Sequence, residues 1–165
     1  MIQKLCLALR GLGLKSEASI IENLSGIPLY HGTDETFSLG KWKISKSGAL
    51  GAGIYLTPSR ERAKSYGRNV IRAYASLEKP IIVDVGLAEG VDADPCIAAL
   101  KALGVSEKAA ISRVEKAYDE RGYVSTGIKA VGEKLGYDGI MLYNKGELKE
   151  VVVWNAARIS GAEIE

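Results

Sequence analysis

A histidine, a set of glycines, two tyrosines and a glutamate are the residues of this chain whose types and spacing could do chemistry together. Ile27-Pro28-Leu29-Tyr30-His31-Gly32-Thr33 reads as a strand running into a turn, and it ends on the only histidine of the chain. Gly48, Gly51 and Gly53 lead into Ile54-Tyr55-Leu56, and Tyr66 follows eleven residues after Tyr55. Glu150 heads the apolar run Val151-Val152-Val153-Trp154. Glycine lets backbone approach a ligand and takes φ > 0 without penalty. Two tyrosines on two different rigid elements can sandwich a flat ring; packed inward, the same pair would be ordinary core residues. A lone histidine is more often structural than functional. His31, however, stands at a strand end beside a glycine, where backbone can meet a ligand.

Several local elements must position these residues. Ile54-Tyr55-Leu56 reads as a short buried strand, with Thr57 as the cap and Pro58 as the first residue of a helix reaching Tyr66. Residues 34–47 form a loop long enough to be functional. Asn69–Leu77 and Ile81–Val85 read as strands about the Lys79-Pro80 turn. Residues 92–104 and 106–121 carry helical apolar faces, with Ser106 as the cap of the second. Ser125–Gly136 is a third helix stopped by its glycine. Tyr137–Tyr143 is a strand, residues 144–149 a polar loop, and Glu150–Trp154 a strand starting on its carboxylate. Before all of this, residues 2–10 and 14–24 read as a helical hairpin. Strands early and late with helices between indicate an α+β fold.

The bulk properties exclude more than they select. The chain has 165 residues, 47% hydrophobic and 25% charged, with net charge +2. That is one domain with one real core, and the charge is too small to argue for nucleic acid or membrane. Arg60, Arg62, Lys64, Arg68 and Arg72 form a local basic run, read as a solvated face or as a patch near an anionic ligand. Two cysteines, Cys6 and Cys96, are expected as buried free thiols, and with one histidine they make no zinc set, so no metal is expected. No signal peptide and no stretch of transmembrane length is read, so a cytoplasmic setting without membrane attachment is expected. No strand followed by GxGxxG and no Walker loop occurs, leaving the commonest nucleotide-binding routes unsupported.

The three constellations, taken in order, resemble the ADP-ribosyltransferases of the diphtheria-toxin and poly(ADP-ribose) polymerase type, whose signature is histidine, tyrosine, glutamate. His31-Gly32-Thr33 matches the first motif. Gly51-Ala52-Gly53-Ile54-Tyr55-Leu56, with Tyr66 behind it, matches the second. The Gly136-Tyr137-Asp138-Gly139-Ile140 strand, a short loop and Glu150-Val151-Val152-Val153-Trp154-Asn155 match the last. The resemblance covers residues 27–160. It implies a split β-sandwich of two small sheets with flanking helices, a catalytic domain over 27–165 and an attached hairpin over 1–26.

The resemblance also implies NAD+ as co-substrate. His31, Tyr55 and Glu150 would be catalytic, and His31, Gly32, Thr33, Tyr55, Ser59 and Tyr66 would bind NAD+. His31 would hold the adenosine ribose, the Gly32 backbone the nicotinamide carboxamide, and Glu150 the 2′-hydroxyl of the nicotinamide ribose. Tyr55 and Tyr66 would flank the nicotinamide, a flat cationic ring that aromatic faces attract. A carboxylate near the ribose suits an oxocarbenium-like transition state. The polymerases carry a serine eight residues after the first tyrosine. Ala63 stands there in this chain, with Ser59 one turn earlier as a substitute. Arginine-modifying toxins carry Glu or Gln two residues before the catalytic glutamate, where this chain has Leu148, so arginine is disfavoured as acceptor. The expected reaction is ADP-ribose transfer from NAD+ to a macromolecule, a protein before a nucleic acid. NAD+ hydrolysis and non-catalytic binding of NAD+ or ADP-ribose are the alternatives.

Overall fold

A computed structural model of the chain describes residues 24, 26–36, 38, 40–46, 48–119 and 126–165. The expected hairpin lies outside the described residues apart from the buried Leu24, and so does Cys6. Among the described residues, seven strands form two sheets. β1 (Leu29–Thr33), β3 (Asn69–Ala75) and β7 (Ile159–Ile164) make an antiparallel sheet in the order β1-β3-β7. β2 (Ile54–Leu56), β4 (Pro80–Asp84), β5 (Gly139–Asn144) and β6 (Glu147–Val153) make the other, ordered β2-β6-β5-β4. Only β4 and β5 run parallel. A parallel pair needs a long crossover. Helices α2 (Pro95–Ala102), α3 (Glu107–Asp119) and α4 (Ile128–Lys134) supply it, while the short α1 (Arg60–Lys64) follows β2. The mixed α+β reading therefore holds.

The alternation of β6 divides the core. Val152 joins Ile140, Leu100, Val114 and Ile128 in a cluster between the four-stranded sheet and the helices. Val151 and Val153 point the other way, to Ile54, Leu56, Met141 and Leu77 and to Leu29 and Ala75 of the three-stranded sheet. A strand buried on both faces reads as a continuous apolar run, which is why residues 151–154 are unbroken by polar side chains.

Several boundaries differ from expectation. Ser59, not Thr57, caps α1: its side chain accepts from the Arg62 N–H. Thr57 instead exchanges backbone hydrogen bonds of 2.8 and 2.9 Å with Tyr30, stitching β1 to β2. The 144–149 loop is in fact a two-residue hairpin, Lys145-Gly146, with φ of 52° and 75°. Positive φ at both central residues is the type I′ geometry that matches strand twist. Glu150 is therefore the fourth residue of β6, not its start. The Asp84 carboxylate at the end of β4 clamps this turn, accepting from the N–H groups of Gly86, Lys145 and Gly146 at 2.8–3.0 Å. The third helix begins later than read, at Ile128, and closes on Gly136 at φ 78° as expected. The sequence carries no signal for β7: as an outer strand of its sheet it is mostly exposed and lacks the alternation that marks a half-buried strand.

Candidate active site

β1, the glycine loop, β2, α1 and β6 converge on a cleft of about 370 Å³ lined by His31, Gly32, Tyr55, Arg62, Tyr66 and Glu150, with Gly48, Ala49, Leu50 and Pro95 along one wall. Five residues singled out from sequence thus meet in one place. Thr33 and Ser59 do not line it: the Thr33 hydroxyl accepts from the Glu35 N–H, and Ser59 is occupied as the cap.

Gly32 seats the helix on the sheet. A Cβ there would lie 1.7 Å from the Ala63 carbonyl oxygen, so only glycine lets β1 and α1 approach this closely. The contact places Arg62, on the helix, and Tyr66, in the turn that follows it, at the cleft. His31 donates from Nδ1 to the Tyr55 carbonyl at 2.8 Å, because a carbonyl only accepts. The Trp42 indole meets the imidazole edge-on at 5.6 Å between centroids.

Tyr55 locks the glycine loop. Its hydroxyl accepts from the Leu50 N–H at 3.0 Å and donates to the Gly51 carbonyl at 2.5 Å. Gly48 lies so close to the ring that a Cβ would meet the phenol oxygen at 2.3 Å. Burial raises the Tyr55 pKa, and the nearby Glu150 charge adds to this, so the phenol stays protonated. The buried Cys96 thiol donates to the Ala49 carbonyl on the far side of the loop, and desolvation pushes its pKa up to about 12. Tyr66 is 59% exposed, its ring open to solvent at the cleft mouth.

Glu150 is only 7% exposed, and burial raises its pKa; the guanidinium of Arg62, 3.6 Å away, opposes that shift. A register shift in β5–β6 separates Glu150 from Leu148: Glu150 pairs with Leu142 on the helix-facing side, whereas Leu148 pairs with Tyr143 and packs on the inter-sheet cluster. The residue two before the carboxylate is turned away from the cleft.

Sequence reasoning missed Arg62 as a site residue, seeing only a basic run. No local signal separates it from its neighbours, since it is one of five basic residues of similar spacing. The rest of that run is paired: Arg60 with Glu165 at 2.5 Å, Lys64 with Glu61 at 2.9 Å, Arg68 with Asp34 at 3.4 Å, and Arg72 with Glu163. It is a solvated, neutralised face rather than an anion patch. Among the described residues, no group of His, Cys, Asp or Glu could hold a metal ion, and no helix is long and apolar enough to cross a membrane.

A family model described as ADP-ribosyltransferase in polyvalent proteins matches residues 25–163. No curated protein matches the sequence. Among solved structures, a crystal structure of an anti-CRISPR protein aligns with 21% identity and a TM-score of 0.43, covering 84% of this chain and 94% of that one.

Proposed function

Since the chain belongs to the family of ADP-ribosyltransferases in polyvalent proteins, we propose that its cleft takes NAD+ and transfers the ADP-ribose to a macromolecular acceptor, releasing nicotinamide. The observation that carries this reading is the buried Glu150 carboxylate sharing one cleft with His31, Gly32, Tyr55 and Tyr66. The reading assigns the chain to the His-Tyr-Glu branch and its paired sheets to that branch's split sandwich. Residues 27–165 would be the catalytic unit and residues 1–26 an added hairpin.

NAD+ supplies the scissile bond and its own leaving group. The residues of the chain hold and polarise it. His31, its ring oriented by the Nδ1 bond to the Tyr55 carbonyl, presents Nε2 to a hydroxyl of the adenosine ribose. The backbone of Gly32 meets the carboxamide. The Tyr55 ring, held by the loop, and the solvent-facing Tyr66 ring close on the nicotinamide. Tyr55 is a fixed wall rather than a proton donor, since both functions of its hydroxyl are already engaged. Glu150 takes the 2′-hydroxyl of the nicotinamide ribose, and its charge is worth most when that ribose becomes cationic. Thr33 and Ser59, lying off the cleft, act only by shaping β1 and α1.

The test is incubation with labelled NAD+, with and without cell lysate, using wild type and Glu150→Gln. Label on a macromolecule supports transfer. Free ADP-ribose alone identifies a glycohydrolase, and neither identifies a binding module. Glu150→Gln should cut turnover ~10²–10³-fold, the usual effect of losing one preorganised electrostatic group, while NAD+ affinity stays within a few-fold. Undiminished turnover in the variant would refute the role of Glu150.

A further inference from the structure

We infer that Trp42 is a positioning residue for the donor: it fixes the His31 ring and so sets the affinity of the cleft for the ADP-ribose half of NAD+. The inference deepens the NAD+ reading above and rests on it. Trp42 does not line the cleft. Its indole meets the His31 imidazole with centroids 5.6 Å apart and planes at 75°, an edge-to-face contact. Its contribution to binding therefore passes through His31.

His31 needs a second constraint because the terminal torsion of a histidine is broad. The 2.8 Å bond from Nδ1 to the Tyr55 carbonyl ties one ring atom to β2 and leaves the ring a pivot about that atom. The indole blocks the pivot from a different element, the loop over residues 34–47. That loop is tied down on both sides of Trp42. Ser45 exchanges backbone hydrogen bonds of 3.0 Å with Gly53, immediately before β2. The Lys41 N–H donates to the Ser38 carbonyl at 2.9 Å, closing a turn just ahead of the indole. Further back, the Asn69 side chain of β3 donates to the Glu35 carbonyl at 3.1 Å. The half-buried indole itself packs against the inter-sheet cluster that holds Leu29 and Leu56. It also lines a separate groove of about 410 Å³ with Gly40, Ile159 and Gly161. Removing the ring gives the imidazole room to turn.

The consequence is confined to one half of the donor. In the proposed pose His31 holds the adenosine ribose, not the bond that breaks. A contact kept equally in the ground state and the transition state shows in KM and leaves kcat alone. ADP-ribose makes the His31 contact and nicotinamide does not. Loss of ring positioning therefore weakens ADP-ribose alone, whereas a general loosening of the fold weakens both ligands.

The experiment uses the full chain and measures competition against labelled NAD+ by ADP-ribose alone and by nicotinamide alone, with nicotinamide release giving KM and kcat. Trp42→Leu keeps apolar bulk and removes the ring. It should weaken ADP-ribose and raise the KM for NAD+ by the same factor, about three- to tenfold, the range of one aromatic pair. Nicotinamide affinity and kcat should stay at the wild-type values. Trp42→Phe keeps an aromatic edge and should recover most of the loss. A readout on the wild type does not depend on either variant folding: ADP-ribose should shift the Trp42 indole N–H resonance, and nicotinamide should leave it in place. Equal weakening of both ligands in Trp42→Leu, undiminished ADP-ribose affinity there, no recovery in Trp42→Phe, or an indole resonance that ignores ADP-ribose would each overturn the inference. Wild-type protein that binds neither NAD+ nor ADP-ribose would instead overturn the NAD+ reading beneath it.

Discussion

Replacing Gly32 by alanine tests how the cleft is assembled, independently of what it binds. The added methyl would stand 1.7 Å from the Ala63 carbonyl oxygen and 2.7 Å from its carbon, and both are backbone atoms that cannot rotate away. Reaching the 3.0 Å that real Cβ atoms respect requires α1 to retreat by about 1.3 Å. Helix α1 carries Arg62, whose 3.6 Å approach to Glu150 would be lost, and leads directly into Tyr66. Overpacking of this kind costs roughly 1–3 kcal/mol, which for a chain of this length lowers Tm by about 2–4 °C per kcal/mol. A displacement of ~1 Å at a positioning element costs on the order of 10² in rate. Thermal denaturation followed by circular dichroism measures the first quantity, and nicotinamide release measures the second. A Gly32→Ala variant with wild-type Tm would refute the close seating of α1 on β1. Reduced stability with undiminished nicotinamide release would show that α1 does not set the geometry of the reacting end.

Two further outcomes follow from the same geometry. Burial raises the Glu150 pKa above its ordinary 4.5, with Arg62 only partly opposing it; the contribution of this group to stability is present below the ordinary value and lost as pH rises through the folded value. Glu150→Gln should therefore gain Tm over wild type at pH 8 and gain little at pH 4, and a gain confined to pH 4 would reverse the sign. Tyr55→Phe should lose about 1–3 kcal/mol, because it strands the Leu50 N–H and the Gly51 carbonyl; denaturant titration checks this, and a neutral result would mean the hydroxyl does not hold the loop.

Sequence alone determined the elements whose signals are local. Leu29–Thr33, Ile54–Leu56, Asn69–Ala75 and the unbroken apolar run at 151–154 were legible because burial on one or both faces writes itself into the side-chain pattern. The order of histidine, glycine loop, tyrosines and glutamate was legible too, because residue types and their spacing are read directly from the chain. Their meeting in one cleft was decided by tertiary structure, through contacts that no local pattern encodes. Lys145-Gly146 adopts its tight turn under the Asp84 clamp, from a residue more than sixty positions away in sequence, and this moved Glu150 from the start of β6 to its interior. The register shift opposite Tyr143 turned Leu148 out of the cleft, and strand pairing alone specifies such a shift. β7 stayed hidden because an exposed edge strand needs no apolar periodicity, only a partner, and β3 supplies that partner from far away in the chain. Arg62 looked like one charge among five; what distinguishes it is that the other four meet solvent-exposed carboxylates while it meets a buried one, a difference of environment that residue type does not carry.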